Sequence, residues 1–133
     1  MRLMAFVDTS VVVRYLVGVP DDLARRAREI IDQIDDVQIG GVALSETAYV
    51  LTTVYRAPRH TVVDSLTAFL TKTNVSTFGL DKDLALQALL MCRPSGRVSF
   101  ADALIWAEAR SARSEAVYTF DQRFPSDGLE LRG

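Results

Sequence analysis

Four acidic residues, Asp8, Glu46, Asp102 and Asp121, stand where an apolar run ends or where a helix is about to begin. Their segments read FVDTSVVVRYL, ALSETAYVL, SFADALIWAEA and YTFDQRF. Carboxylates gathered at one mouth of a sheet make a pocket of hard oxygen ligands, and such a pocket suits Mg²⁺ or Mn²⁺. An ion held that way polarises a phosphate oxygen and lowers the pKa of a bound water, which is the chemistry of phosphodiester hydrolysis. Hydroxyl residues accompany the acids: Thr9 and Ser10 come directly after Asp8, and Thr119 stands two before Asp121. Each acid also has a structural use. Asp8 and Asp121 can cap the next segment of chain, Ser99-Phe100-Ala101-Asp102 matches a capping box, and Glu46 in a first helical turn gains from the helix dipole. The conjunction points to a site, because converging acids repel one another and raise their apparent pKa values unless a cation is present.

Other chemistry is sparse. His60, the single histidine, lies at an expected helix start in APRHTVV and reads as a surface residue. Cys92 is the single cysteine, so no internal disulfide can form. It reads as a small buried hydrophobe, and its solitude fits a reducing, cytoplasmic setting. Neither G-x-x-x-x-G-K-[ST] nor G-x-G-x-x-G occurs. Asp8-Thr9-Ser10 lacks the second acid of an Asp-x-Asp phosphatase, and no lysine comes after the fourth expected strand as a receiver domain would need. The formal net charge is −2, mildly against a nucleic-acid binder. Neutralising the four carboxylates with metal would move it to about +2 by counting charges. Arginine dominates the cations, with lysine only at positions 72 and 82. Its planar fork suits phosphate, and Arg56, Arg59, Arg93 and Arg97 fall in expected loops.

The elements that must position these residues emerge from pattern. Leu3 to Val7, Val37 to Ile39, Val75 to Phe78 and Ala116 to Thr119 are short unalternating apolar runs, as buried strands are, and Leu129 to Leu131 offers a fifth. Helices are expected after Asp8-Thr9-Ser10, from Asp21 to about Ile34, Leu44 to Tyr55, Arg59 to Lys72, after Asp81, and from Ser99 to about Ser111. Gly18 with Pro20, and Gly40 with Gly41, read as breaks. Val62, Val63, Leu66, Phe69 and Leu70 form an apolar stripe, which is core or, with Tyr15 and Leu16, a partner surface. Alternating strands and helices predict one α/β domain over residues 1–133, a mostly parallel sheet of four to five short strands with helices on both faces. Ligands gather beyond the carboxyl ends of such strands, the edge all four acids can reach. No run approaches the ~18 apolar residues of a membrane span, and a signal peptide is not expected.

With its order and spacing, the set VDTSVVVRYL, SETAYVL, SFADALIWAEA and TFDQRF resembles the PIN-domain ribonucleases, and among them the toxin component of VapBC-type toxin–antitoxin pairs. The resemblance runs from about Phe6 to Phe124. It implies catalytic and metal-binding roles for Asp8, Glu46, Asp102 and Asp121, with Thr119 as the hydroxyl beside the last acid. It further implies an Mg²⁺- or Mn²⁺-dependent endoribonuclease leaving 5′-phosphate and 3′-hydroxyl ends on a tRNA or rRNA substrate. A VapB-like antitoxin and a homodimer are the implied protein partners. Thr9, Ser10, Arg56, Arg59 and Arg97 are the expected substrate contacts. The alternative is a PIN fold that binds RNA or protein without turnover.

Overall fold

The computed structural model describes residues 2–133. Its elements are β1 (Met4–Phe6), α1 (Thr9–Val17), α2 (Asp21–Gln33), β2 (Asp36–Gly40), α3 (Gly41–Thr53), α4 (Arg59–Leu70), β3 (Val75–Phe78), α5 (Lys82–Met91), α6 (Phe100–Ser111), β4 (Ala116–Tyr118) and β5 (Glu130–Arg132). Local signals set most boundaries. The Asp8 carboxylate accepts the amides of Ser10 and Val11 and starts α1, which Gly18 ends at φ 80°, a left-handed position that glycine tolerates best. Asp81 caps α5 through the amides of Asp83 and Leu84. Ser99 caps α6 through the amide of Asp102. Pro58 stands at the N-cap of α4.

Most boundaries fall within one or two residues of expectation, and the largest difference is at the start of α3. Helix α3 starts at Gly41, not Leu44. Gly40 is extended (φ −99°, ψ 176°) and serves as N-cap, so the glycine pair joins strand to helix with no intervening break. Gly41 lies under the Glu108 carboxylate, whose Oε2 would be 3.3 Å from any added Cβ. Glu46 therefore sits in the second turn, beyond the reach of the first-turn dipole.

All strand pairs are parallel, as expected, but they divide between two sheets. One has the order β1-β2-β3 and the other pairs β4 with β5. In the larger sheet Met4 lies opposite Asp36, Phe6 opposite Gln38, and Gly40 opposite Phe78. Val37, Ile39 and Val75 point into the helical layer and are buried. The other face carries Met4, Phe6 and Phe78, all more than half exposed. The apolar run at residues 3–7 predicts a strand covered on both sides. Its Met4–Phe6 side is instead open, with the Phe6 and Phe78 rings edge to face at 5.1 Å.

The core fills the space between the larger sheet and the helices. Trp106, Phe69, Ile31, Ile39, Leu44 and Leu66 are its largest fully buried side chains, each worth about 1.5–3 kcal/mol of burial. The stripe Val62, Val63, Leu66, Phe69 and Leu70 lies wholly in this core, so it supplies no partner surface. Among the described residues no helix is long and apolar enough to cross a membrane.

Candidate functional site

Helices α1, α3 and α6 pack side by side, and Glu46 stands at their junction. A cavity of about 340 Å³ between α1 and α3 is lined by Thr9, Ser10, Arg14, Glu46 and Tyr55. A second, of about 460 Å³ between α3 and α6, is lined by Ser45, Glu46, Tyr49, Ala101, Ile105 and Glu108. Glu46 belongs to both walls. Glu46 is exposed, and its side chain has no hydrogen-bond partner among the described residues.

Asp8 adjoins the first cavity through Thr9 and Ser10. The Ser10 hydroxyl donates to its Oδ1 at 2.6 Å, and this bond holds the carboxyl below the usual aspartate range. Slight desolvation opposes the shift, while the amides of Val11 and Ser10 reinforce it. Asp121 lies just beyond β4. Its carboxyl is also held below the usual value, first by the Arg123 amide at 2.8 Å and then by the Arg123 guanidinium, with Nε 3.3 Å from Oδ1. Thr119 Oγ1 accepts the Asp121 amide at 3.0 Å, so it shapes the turn carrying that acid. In α6 the Asp102 amide donates to Ser99 Oγ at 3.0 Å. The return bond of a capping box is absent, and the Asp102 carboxylate has no hydrogen-bond partner among the described residues.

These donors are chemically right for a hard divalent cation, but they are not assembled for one. Among the described residues, no group of three or more His, Cys, Asp and Glu could hold a metal ion. Asp121 rides on the separate two-stranded ribbon and is engaged by Arg123. Asp102 is not among the residues lining the cavity that Glu46 shares with Glu108. The structure thus brings Glu46 beside Thr9 and Ser10, and it does not gather Asp8, Glu46, Asp102 and Asp121 into one ligand set.

The arginines divide by task. Arg59 donates from Nε to the Cys92 carbonyl and from Nη2 to the Val98 carbonyl, and its guanidinium lies 4.7 Å over the Phe100 ring. Its Nε and Nη2 thus hold the α5–α6 loop rather than reaching for phosphate, and Nη1 is left without a partner among the described residues. Arg93 is bidentate to Asp64, at 2.9 and 3.0 Å. Arg56, at φ 53°, and Arg97 are exposed, where a phosphate could meet them.

Glu108 and Tyr49 were missed from the sequence. Ala101, Ile105 and Glu108 recur at helical spacing, which was a usable signal. Glu108 and Asp102, six residues apart, point about 120° apart around the helix. That angle puts Glu108, rather than Asp102, on the cavity wall.

Parallel strands alternating with helices, with Asp8 and Asp121 just beyond strand ends and Asp102 in a first helical turn, define an α/β domain. The family model for the PIN domain matches residues 5–126, and the chain belongs to that family. All four acids fall inside the match. Among solved structures, the chain is similar to Mycobacterium tuberculosis VapC20, described as a sarcin-ricin loop cleaving toxin, with 25% identity over 95% of each chain and a TM-score of 0.45. No curated protein matches it.

Proposed function

We propose that the chain is a divalent-metal-dependent endoribonuclease and the toxin of a VapBC-type pair. The observation that carries this reading is the PIN-domain match over residues 5–126, within which Asp8 and Asp121 follow strands, Asp102 lies in the first turn of α6 and Glu46 in the second turn of α3. The Ser10 hydroxyl lowers the Asp8 pKa, and Glu46 offers a free carboxylate between two cavities. Thr9, Ser10, Arg56 and Arg97 are the substrate-facing residues under this reading, with Arg59 in a supporting place. Mg²⁺ or Mn²⁺ is the proposed ion, and Asp8, Glu46, Asp102 and Asp121 would have to come closer together than here to share it. A tRNA or rRNA substrate, 5′-phosphate and 3′-hydroxyl products, a VapB-like antitoxin, a homodimer and a cytoplasmic location belong to the same proposal.

The test is cleavage of structured tRNA and rRNA fragments by the purified protein. Cleavage should stop in EDTA, return with Mg²⁺ or Mn²⁺, and fall to background in Asp8→Asn. Undiminished cleavage in EDTA, or a fully active Asp8→Asn, would overturn the reading. The dispersed acids and the Arg123–Asp121 pair favour one second reading, a PIN fold that binds RNA or protein without turnover. RNA that is bound but never cut under any divalent ion would select it.

A further inference from the structure

A third cavity, of about 280 Å³, opens between α3 and the α5–α6 loop. It shares Ser45, Tyr49 and Ala101 with the α3–α6 cavity where Glu46 stands. Its remaining walls include Thr52, Thr53, Arg59 and Phe100. No carboxylate lines it. The chemistry of these walls is mixed in a specific way. Tyr49 is 67% exposed, and its phenol has no hydrogen-bond partner among the described residues. The Ser45 hydroxyl has none either. Thr52 and Thr53 spend their hydroxyl hydrogens on the Ala48 and Tyr49 carbonyls, both at 2.7 Å, which leaves their oxygens as acceptors. Arg59 is fixed through Nε and Nη2, so Nη1 remains as a rigidly held donor.

We propose that this hollow holds one unpaired nucleobase of the RNA beside the bond that is cut, with Tyr49 as its stacking wall. The inference rests on the ribonuclease reading and adds a specificity pocket to it. An unstacked base needs an aromatic face and a few hydrogen-bonding groups, and the hollow supplies both without a repelling carboxylate. Tyr49 and Glu46 are neighbours at i and i+3 on one helix face. A base against Tyr49 therefore leaves its own backbone next to Glu46. The uncommitted Arg59 donor favours guanine or uracil, which carry a carbonyl oxygen where adenine and cytosine carry an amino group.

The experiment uses single-stranded RNA oligomers of one sequence, each with a single abasic ribose at a different position. Binding is read by fluorescence anisotropy with Ca²⁺ present, for the wild type, Tyr49→Ala and Tyr49→Phe. At one position the missing base should weaken wild-type binding about tenfold. Tyr49→Ala should lose a similar factor with the intact oligomer and lose no more when the base is also missing. Tyr49→Phe should keep the base dependence, since the ring remains. Tyr49→Ala binding like the wild type, or the two losses multiplying at every position, overturns the pocket. The same oligomers are then incubated with Mg²⁺. Tyr49-dependent base preference without cutting leaves the pocket and removes the nuclease reading, cutting without that preference does the reverse, and neither binding nor cutting removes both.

Discussion

At the scale of single residues, the Asp8 carboxylate caps α1 through the amides of Ser10 and Val11 and also accepts the Ser10 hydroxyl. Asp8 was legible because an acid leading into two hydroxyl residues after an apolar run is a cap signal, whatever else it does. That Glu46 would meet Glu108 across a cavity was not legible, since it depends on how α3 and α6 pack. The hydroxyl of Ser10 is the main cause of Asp8's depressed pKa. Ser10→Ala should therefore move the Asp8 pKa back up toward the ordinary aspartate value, read by NMR titration of its carboxyl carbon. An unchanged value would show that the amides alone set it. Because the folded-state value lies below the unfolded one, the cap's pH-linked contribution to stability is present above the ordinary aspartate pKa and is lost as pH falls through the folded value. Cys92 behaves oppositely. Burial pushes its thiol up to about 11, against the pull of Arg59. At pH 8 it should react with a disulfide reagent only at the rate of unfolding, and rapid labelling of the folded protein would contradict this.

At the scale of elements, capping chemistry decided which boundaries were readable. Helices α5 and α6 start where Asp81 and Ser99 predict, because each supplies a side-chain oxygen to amides that the helix itself cannot satisfy. Asp81→Ala should cost about 1 kcal/mol in chemical denaturation, with little change in the denaturant slope; a loss near zero would mean that packing alone starts α5. The start of α3 is hidden in the sequence because two adjacent glycines look like a break, whereas here Gly40 ends a strand and Gly41 makes room for Glu108. The same helix carries a buried polar misfit. Thr47 is fully buried, and its hydroxyl has no partner among the described residues. Thr47→Val should leave stability unchanged or raise it by about 1 kcal/mol, read as a higher melting temperature. A clear drop would reveal a hydrogen bond, direct or through water, at that hydroxyl.

At the scale of the whole molecule, short unalternating strands correctly indicated parallel pairing, but they carried no information on how many sheets would form or which face would stay open. Those are outcomes of packing between segments distant in sequence. The β4–β5 ribbon is tied to the remainder chiefly through α6. Trp106 Nε1 donates to the Asp127 carbonyl at 2.8 Å, and Arg110 Nη1 reaches the same oxygen at 3.0 Å. Phe124 is buried, while Val117, Leu129 and Leu131 pack against the core. Trp106 thus acts as a buried hinge pin for the segment that presents Asp121. Trp106→Phe keeps an aromatic ring in the core and removes the bond to Asp127, at a cost of about 1 kcal/mol from the lost hydrogen bond, plus whatever the smaller ring leaves unfilled. Loosening should be local. Amide exchange should quicken across residues 119–132 while β1, β2 and β3 keep their protection. If Asp121 serves the proposed cleavage, the rate should fall in the same variant with the Asp8 site intact. Uniform acceleration of exchange through both sheets would instead mean that the ribbon and the larger sheet unfold as one unit, and that Trp106 supports the whole core rather than the placement of Asp121.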